Sequence, residues 1–309
     1  MIFSEKYEAL YPKISSEFDN LLALAFQKQQ HHGELLILYN NGFYNEEMEH
    51  HNKKFGSNYL TYTIGNRGES FSETAHSEFI QKFRVNTFCS FDYDEYLKLF
   101  ELNKLSNAER KEFLEFETST IQMEMLCYLK FWESDAIITK LYQFVRLLNG
   151  KRYDWKFRIQ KFSDERDIYD TIGKVIREKI RDEIKSVSPI LYNLISNSYN
   201  SQIRNSIAHS NYSFLGNQIW LNNFSKNPKN YSPKHSISFD EWNVIFNNTL
   251  VLHSTYMDFK NKINEKYMEL SLKSNDMIEV LIPNDSKNDY LSYLRLRREY
   301  KDWSIYKMD

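Results

Sequence analysis

Residues that interrupt helices are scarce in this sequence, and their scarcity restricts the fold more than any other feature. The chain contains 8 Gly and 5 Pro among 309 residues, against roughly 7% Gly and 5% Pro in an average globular chain. Hydrophobic residues make up 41% of the chain, which is enough to build a buried core. The composition therefore predicts a mainly α protein with long helices and disfavours a turn-rich all-β fold.

Several function classes lack their sequence signatures. The chain contains neither the G-x-G-x-x-G nor the G-x-x-x-x-G-K-[ST] pattern of nucleotide-binding loops, and it has no G-x-S-x-G of a serine hydrolase. The formal net charge is −2, so nucleic-acid binding would have to use a local basic patch. The first 150 residues are net acidic and the remainder net basic, which is consistent with two modules or with two solvated faces.

The cysteine content and the hydropathy pattern bear on localisation. Two cysteines, Cys89 and Cys127, cannot form a disulfide framework and are typical of reduced thiols. The N-terminal residues do not form a signal peptide, and no uncharged apolar run approaches the roughly 18–20 residues that span a bilayer. We expect a cytoplasmic protein that does not associate with a membrane.

The most regular part of the sequence begins at Ser106. Ser106 and Glu109 have the S-x-x-E form of a capping box, and the apolar residues that follow recur at helical spacing as far as Asn149-Gly150, a C-terminal cap. About forty residues is long for one helix, so we expect a break near Thr118–Thr120 or near Glu133–Asp135.

Three regions follow from this pattern. Residues 1–105 form a mostly helical N-terminal extension with a sensing, partner-binding or regulatory role, and residues 106–270 form a helical bundle. Short strands are predicted after residue 212, and a capping box at Ser238–Glu241 opens another long helix. Residues 271–309 form a basic helical tail around Leu294–Arg298.

The hexapeptide Arg204–His209 carries the most chemical information. On a helix, Asn205 and His209 are four residues apart, so the Asn amide could contact the imidazole. Arg204 and His209 are five apart, about 140° around a regular helix, so a bend, the long Arg side chain or a second subunit must bring them together. A guanidinium binds phosphate and an imidazole transfers protons at neutral pH. A surface Arg and a half-buried His at a helix end are the alternative.

The form R-N-x-x-A-H at 204–209 resembles the R-x4-6-H motif of HEPN domains. The helices before it and the hairpin and long helix after it agree with that resemblance, which covers roughly residues 109–270. The resemblance implies a helical bundle of HEPN type that forms homodimers, with a composite active site at the dimer interface. It also implies a metal-independent endoribonuclease that leaves 2′,3′-cyclic phosphate ends and acts as a toxin or as an abortive-infection effector in antiviral defence.

The same resemblance assigns roles to individual residues. Arg204 would bind and polarise the phosphate, His209 would act as general acid or base, and Asn205 would orient the site. Glu133 or Asp135 would pair with Arg204. RNA is the expected substrate, an antitoxin or trigger protein the expected partner, and no cofactor or metal ion is expected.

Tyr212 departs from the family pattern. Toxins of this type that are paired with nucleotidyltransferase antitoxins often carry a Tyr two residues after the His, whereas Tyr212 follows His209 by three. Silencing by nucleotide transfer onto this Tyr is therefore not expected, and Tyr212 is kept as a supporting residue of the site.

A second candidate RNA contact follows Gly150. Four basic residues alternate there with aromatic residues, as on a base-stacking surface; the basic residues are Lys151, Arg152, Lys156 and Arg158, and the aromatic ones are Tyr153, Trp155 and Phe157. Aromatic residues that pack on the core at a helix end explain the same pattern.

The sequence thus supports three hypotheses. The first is a HEPN-type endoribonuclease, and the second is a non-catalytic HEPN-like module that binds RNA, nucleotide or protein. In the third, the hexapeptide only stabilises a dimer of a structural or regulatory subunit. A fold by itself does not distinguish them.

Overall fold

A computed structural model describes residues 2–57, 59–65, 68–89, 93–99, 106–159, 171–227, 232–283 and 289–306. The protein is mainly helical with small β-sheets, as the composition predicts. Within these ranges, no helix is both long enough and apolar enough to cross a bilayer.

The helices and strands follow one another in a mixed order along the chain. The helices are α1 (Ser4–Lys28), α2 (Glu34–Tyr39), α3 (Glu46–Phe55), α4 (Gly68–Thr87), α5 (Tyr93–Leu99), α6 (Asn107–Trp132), α7 (Asp135–Leu148), α8 (Ile172–Lys174), which continues as a π-helix (Val175–Asp182), α9 (Pro189–Ser198), α10 (Ser201–Ala208) and α11 (Phe239–Ser271). The strands are β1 (Ile2–Phe3), β2 (Gly42–Tyr44), β3 (Tyr62–Ile64), β4 (Phe88–Cys89), β5 (Tyr212–Leu215), β6 (Gln218–Leu221), β7 (Ser236–Ser238), β8 (Met277–Ile282), β9 (Tyr290–Arg297) and β10 (Asp302–Tyr306).

The strands form four small sheets. β1 and β4 pair in parallel, and β2 pairs with β3 in antiparallel fashion. β5, β6 and β7 form a three-stranded antiparallel sheet in that order, which includes the hairpin expected after the hexapeptide. β8, β9 and β10 form a second three-stranded antiparallel sheet with β9 in the middle.

The chain folds into two compact units that are not contiguous in sequence. The first unit contains residues 1–17, 74–134 and 189–256, and the second contains residues 18–73, 135–188 and 257–309. The predicted boundaries after residues 105 and 270 therefore do not coincide with the units. The sequence pattern marks local elements but not which of them pack together.

The capping box at the start of α6 forms as predicted. The Ser106 side chain accepts a hydrogen bond from the backbone N–H of Glu109, and the Glu109 carboxylate accepts one from the backbone N–H of Ser106 at 2.9 Å. At the end of α7, Gly150 has a φ of +69°, which glycine adopts without strain.

The long periodic stretch breaks at the second of the two expected positions. α6 ends at Trp132 and α7 begins at Asp135; Ser134 and Asp135 favour helix caps and first turns over helix interiors. At the other position, the hydroxyl of Thr118 donates to a carbonyl of the preceding turn and so does that of Thr120, at 2.9 and 3.2 Å. These back-bonded hydroxyls are compatible with an uninterrupted helix.

The core of the first unit is rich in large aromatic side chains from α6 and α11. Tyr128 and Trp242 are fully buried with their rings 5.5 Å apart. The indole N–H of Trp242 donates to the buried carboxylate of Glu124 at 2.8 Å, and that of Trp132 lies 3.4 Å from the Thr249 hydroxyl. Hydrogen bonding of these polar atoms removes most of the cost of burying them.

The predicted helical tail after residue 270 is wrong, because the segment forms β8, β9 and β10. Leu294 and Leu296 are buried, whereas Arg295 and Arg297 are exposed. This alternation has the period of two that is typical of a strand with one buried face. The basic residues are those of the solvent face of β9.

Candidate functional site

α10 is a short helix whose start is fixed by a side-chain cap. The amide oxygen of Asn200 accepts hydrogen bonds from the backbone N–H groups of Gln202 and Ile203, at 3.0 and 3.1 Å. Ile203 and Ile207 are buried on one face, as their spacing predicts. Arg204 lies about 80° around the helix from the middle of this buried face, and its side chain is only partly exposed.

The helix ends one residue before the histidine of the hexapeptide. His209 is the C-terminal cap, with φ −104° and ψ 11°, and its backbone N–H still donates to the Asn205 carbonyl at 3.1 Å. Ser210 then adopts a φ of +53°. The His209 side chain is exposed.

Arg204 is held on two sides by polar groups. Its Nη2 donates to a carboxylate oxygen of Glu133 at 3.1 Å, and its Nε forms a second contact with the other oxygen of that carboxylate. Its Nη1 donates to the amide oxygen of Asn205 at 2.6 Å. The Arg204 side chain is 17% exposed and that of Glu133 is 37% exposed. Such two-point pairing fixes the plane of a guanidinium.

Glu133 reaches Arg204 because α10 lies against the end of α6. Glu133 is the C-terminal cap residue of α6. The buried hydroxyl of Tyr128 accepts a hydrogen bond from the backbone N–H of Asn200 at 3.3 Å, and the rings of Trp132 and Tyr199 are 5.0 Å apart. Burial raises the pKa of Tyr128, so its hydroxyl remains protonated. These contacts fix the start of α10 on α6.

Two polar residues that the sequence reasoning missed hold the far side of α10. The buried Gln202 donates to the carbonyl of Lys234 at 2.6 Å and accepts from its backbone N–H at 3.1 Å. The Ser206 hydroxyl donates to the carbonyl of Asn211, whose N–H donates to the Ser206 carbonyl at 2.7 Å. Both lie among the apolar positions of α10, and a polar residue on an apolar helix face is the signal that could have found them.

The structure pairs Arg204 with Glu133, one of the two expected carboxylates. Asp135 is the first residue of α7. The expected contact between the Asn205 amide and the imidazole is replaced, because the amide oxygen binds Arg204 instead. Tyr212 begins β5 and packs edge to face on Phe214.

The candidate RNA-binding residues after Gly150 belong to the second unit and have partners there. Lys151 pairs with Glu183 at 3.0 Å, Arg152 with Asp289 at 2.6 Å and Arg158 with Glu46 at 2.9 Å, while the Lys156 ammonium lies 4.8 Å from the ring centre of Tyr44.

The aromatic residues between those basic residues do not form a stacking surface. Tyr153 and Trp155 are each only 7% exposed, and the Phe157 ring stacks on Tyr142 with 3.8 Å between ring centres. The alternation of aromatic and basic residues therefore reflects one side that packs inward and one that faces solvent. Packing on the core, the alternative interpretation, accounts for the pattern.

The arrangement in the first unit combines an oriented guanidinium with an exposed imidazole. A guanidinium with several donors can bind a phosphodiester oxygen, and an exposed imidazole can exchange protons with a bound group. Among the residues that the structure describes, no three His, Cys, Asp or Glu side chains cluster as metal ligands would.

Comparisons with known proteins add no relative. No protein-family model matches the chain, and neither a curated protein nor a solved structure is similar to it.

Proposed function

We propose that this protein is a HEPN-type endoribonuclease that cleaves RNA without a metal ion. The observation that carries the proposal is the Arg204 guanidinium, oriented by Glu133 and Asn205, at the helix whose end presents the exposed His209. The two side chains that the chemistry needs lie within one segment of six residues, at the end of α10.

The chemistry follows from the two groups. RNA supplies its own nucleophile, because the 2′-oxygen attacks the adjacent phosphorus while the bond to the 5′-oxygen breaks. His209 takes the proton of the 2′-hydroxyl or returns one to the leaving 5′-oxygen. Arg204 binds the non-bridging oxygens, on which negative charge increases in the transition state. The products are a 2′,3′-cyclic phosphate and a 5′-hydroxyl.

A bound phosphate would compete with Glu133 for the hydrogen-bond donors of Arg204. Because the Glu133 carboxylate is 37% exposed, water can solvate it when a phosphate replaces it as a hydrogen-bond acceptor. Asn205 keeps Nη1 in place during this exchange, since it belongs to the same helix as Arg204. In this role Glu133 and Asn205 are positioning residues.

The biological setting belongs to the same proposal. Two copies of the chain would form a homodimer in which both Arg204–His209 pairs line one composite site, and the enzyme would act in the cytoplasm as a toxin or antiviral effector. An antitoxin or trigger protein would control it.

A second candidate function is a non-catalytic module that binds RNA, nucleotide or protein. The observation in its favour is that Asn205 and Glu133 already accept hydrogen bonds from Nη1 and Nη2 of Arg204, and Glu133 also contacts Nε. In that case the hexapeptide would maintain the α6–α10 contact and would not react with a substrate.

Cleavage of single-stranded RNA by the purified full-length chain in EDTA tests the proposal. We expect cyclic phosphate ends and a loss of rate of about 10²–10⁴-fold in His209→Ala, the range for removing a general acid or base. Arg204→Ala should lose activity as well. His50→Ala, which alters another exposed histidine in α3, is the matched control and should cleave at the wild-type rate.

The two functions predict different results. Cleavage that disappears in EDTA, or that survives both the Arg204 and the His209 substitutions, would contradict the nuclease proposal. RNA binding without any cleavage would support the binding module. A large drop in melting temperature in His209→Ala would also count against catalysis, since an exposed side chain contributes little to stability.

A further inference from the structure

We propose that the outer face of the β5–β6–β7 sheet is a platform for single-stranded RNA, on which Trp220 stacks against an unpaired base. The inference rests on the proposed function and names the form of RNA that the site would take. The sheet and the Arg204–His209 segment both belong to the first unit.

The strand pairing assigns the side chains to two faces. Ile219 and Leu221 of β6 and Ile237 of β7 are buried, so they form the inner face. Trp220 lies between them in sequence and must point to the opposite side. It is 40% exposed.

The direct cross-strand partners of Trp220 are small and polar. Ser213 on β5 and Ser236 on β7 are its direct partners across the two strand pairs. On the adjacent row of the outer face, Gln218 is the partner of Ser238. Side chains of this size do not cover an indole ring from the sides, and hydroxyl and amide groups can bond base edges and sugar hydroxyls.

An aromatic residue on the inner face of the same hairpin provides a contrast. Phe214 meets the buried Phe239 at the start of α11, with 6.1 Å between ring centres. Trp220 is exposed in the middle strand of the sheet between two serines, and the exposed Leu215 lies on the next row of the same face, opposite Gln218. An apolar protein partner would require a contiguous apolar patch, whereas a nucleobase requires one π-face and polar groups beside it.

Two lysines lie close to this sheet along the chain. Lys234 is exposed two residues before β7, and Lys226 is exposed in the β6–β7 connection. Lys234 also pairs with Glu241 at 3.3 Å, so its charge is shared. Basic groups beside an aromatic platform are what a nucleic-acid backbone needs.

The platform follows the Arg204–His209 segment closely along the chain. The Asn211 carbonyl, directly before β5, accepts a hydrogen bond from the backbone N–H of Asn222 at 2.9 Å, directly after β6. Four Cα–Cα steps of about 3.8 Å separate His209 from Ser213, and a cross-strand step of about 5 Å leads to Trp220. The two backbones therefore lie within about 20 Å, which a few nucleotides can span.

Binding measured without cleavage tests the platform. We would titrate a fluorescein-labelled single-stranded RNA with the full-length chain carrying His209→Ala and follow its anisotropy. Adding Trp220→Ala should weaken binding roughly 5- to 150-fold, the range for one base–aromatic stack. Trp220→Phe should retain most of the affinity. A duplex of the same sequence should be insensitive to both changes, because its bases are already stacked.

Leu215→Ala is the matched control, because Leu215 lies on the same outer face and is 65% exposed but has no ring. Its affinity should stay within about twofold of the His209→Ala parent, since an aliphatic side chain provides no stacking surface. An equal loss in Leu215→Ala and Trp220→Ala, an unchanged affinity in Trp220→Ala, or no binding of single-stranded RNA would overturn the platform.

These outcomes separate the platform from the nuclease proposal. If the wild-type chain cleaves RNA but Trp220→Ala leaves both affinity and KM unchanged, the platform fails and the nuclease stands. If affinity depends on Trp220 but the wild-type chain does not cleave, the nuclease fails and the platform stands. RNA-dependent quenching of tryptophan fluorescence that shrinks in Trp220→Phe provides a second readout should Trp220→Ala not fold.

Discussion

Glu73 belongs to a buried ionic cluster in the second unit. We expect the loss of its charge to lower the free energy of unfolding more than the loss of an exposed charge does. The Glu73 carboxylate is 2% exposed and binds two ammonium groups, that of Lys140 at 2.7 Å and that of Lys260 at 2.5 Å. Burial alone would raise the pKa of Glu73, but the two lysines outweigh it and lower that pKa to about 2. Burial lowers the pKa of Lys140 to about 8, although Glu73 opposes the change.

Glu73→Gln keeps the shape of the side chain and removes its charge. Lys140 is then buried beside a second cation without a carboxylate, and breaking a buried pair in this way costs about 3–5 kcal/mol. Lys260, which is 16% exposed, can turn towards water and offset part of that cost. We therefore expect the free energy of unfolding to fall by about 3 kcal/mol at neutral pH.

The change in the free energy of unfolding at acid pH provides a second estimate of how much the Glu73 carboxylate stabilises the protein. The pKa of Glu73 is about 2 in the folded protein and about 4.3 in the unfolded chain, a difference worth about 3 kcal/mol. Since the folded pKa is the lower one, this stabilisation is present above the unfolded pKa and is lost as the pH falls towards 2. Glu73→Gln should lose that part of the acid dependence.

Urea denaturation followed by circular dichroism measures both effects. Glu115→Gln is the matched control, because Glu115 forms an exposed pair with Lys111 at 3.8 Å, and such pairs contribute about 0–1 kcal/mol. A Glu73→Gln, Lys140→Met double variant should recover part of the stability, since it removes both buried charges. A stabilising role of the buried cluster is contradicted if Glu73→Gln lowers the free energy of unfolding no more than Glu115→Gln does. It is also contradicted if the free energy of unfolding of Glu73→Gln falls at acid pH as steeply as that of the wild type.

Two further substitutions test packing elsewhere in the protein. Burial raises the pKa of Cys127 to about 12, so in a Cys89→Ser variant the remaining thiol should react slowly with a disulfide reagent at pH 8 and quickly in urea; rapid labelling of the folded protein would contradict this. Gly42→Ala should cost about 1–3 kcal/mol by overpacking, because the new Cβ would lie 2.4 Å from Ile37 Cγ2 and 2.9 Å from Trp155 Cζ3; an unchanged urea midpoint would contradict it.

The local signals in the sequence predicted the elements around the candidate site well. The capping box at Ser106 and the helix end at Gly150 form as expected, because both depend on groups within a few residues of each other. The hairpin after the hexapeptide also forms. The tail was assigned to the wrong element, because a short run of alternating Leu and Arg fits a basic helix or a strand with one buried face.

Within the candidate site, the sequence identified Arg204, Asn205, His209 and Glu133 but not all of their contacts. The pairing of Arg204 with Glu133 was one of two options, since residues 71 positions apart can be matched only by the packing of α10 on α6. The cap conformation of His209 and the binding of Asn205 to Arg204 depend on where α10 ends.

Residue order alone thus predicted the helical class, the capped helix ends and the chemical character of the hexapeptide, because each of these depends on neighbours along the chain. The division into two discontinuous units, the burial of Glu73 between two lysines and the outward position of Trp220 required the folded chain. The same physical reason applies to all three features. Each results from contacts between segments that are distant in sequence, and local conformational preference does not specify such contacts.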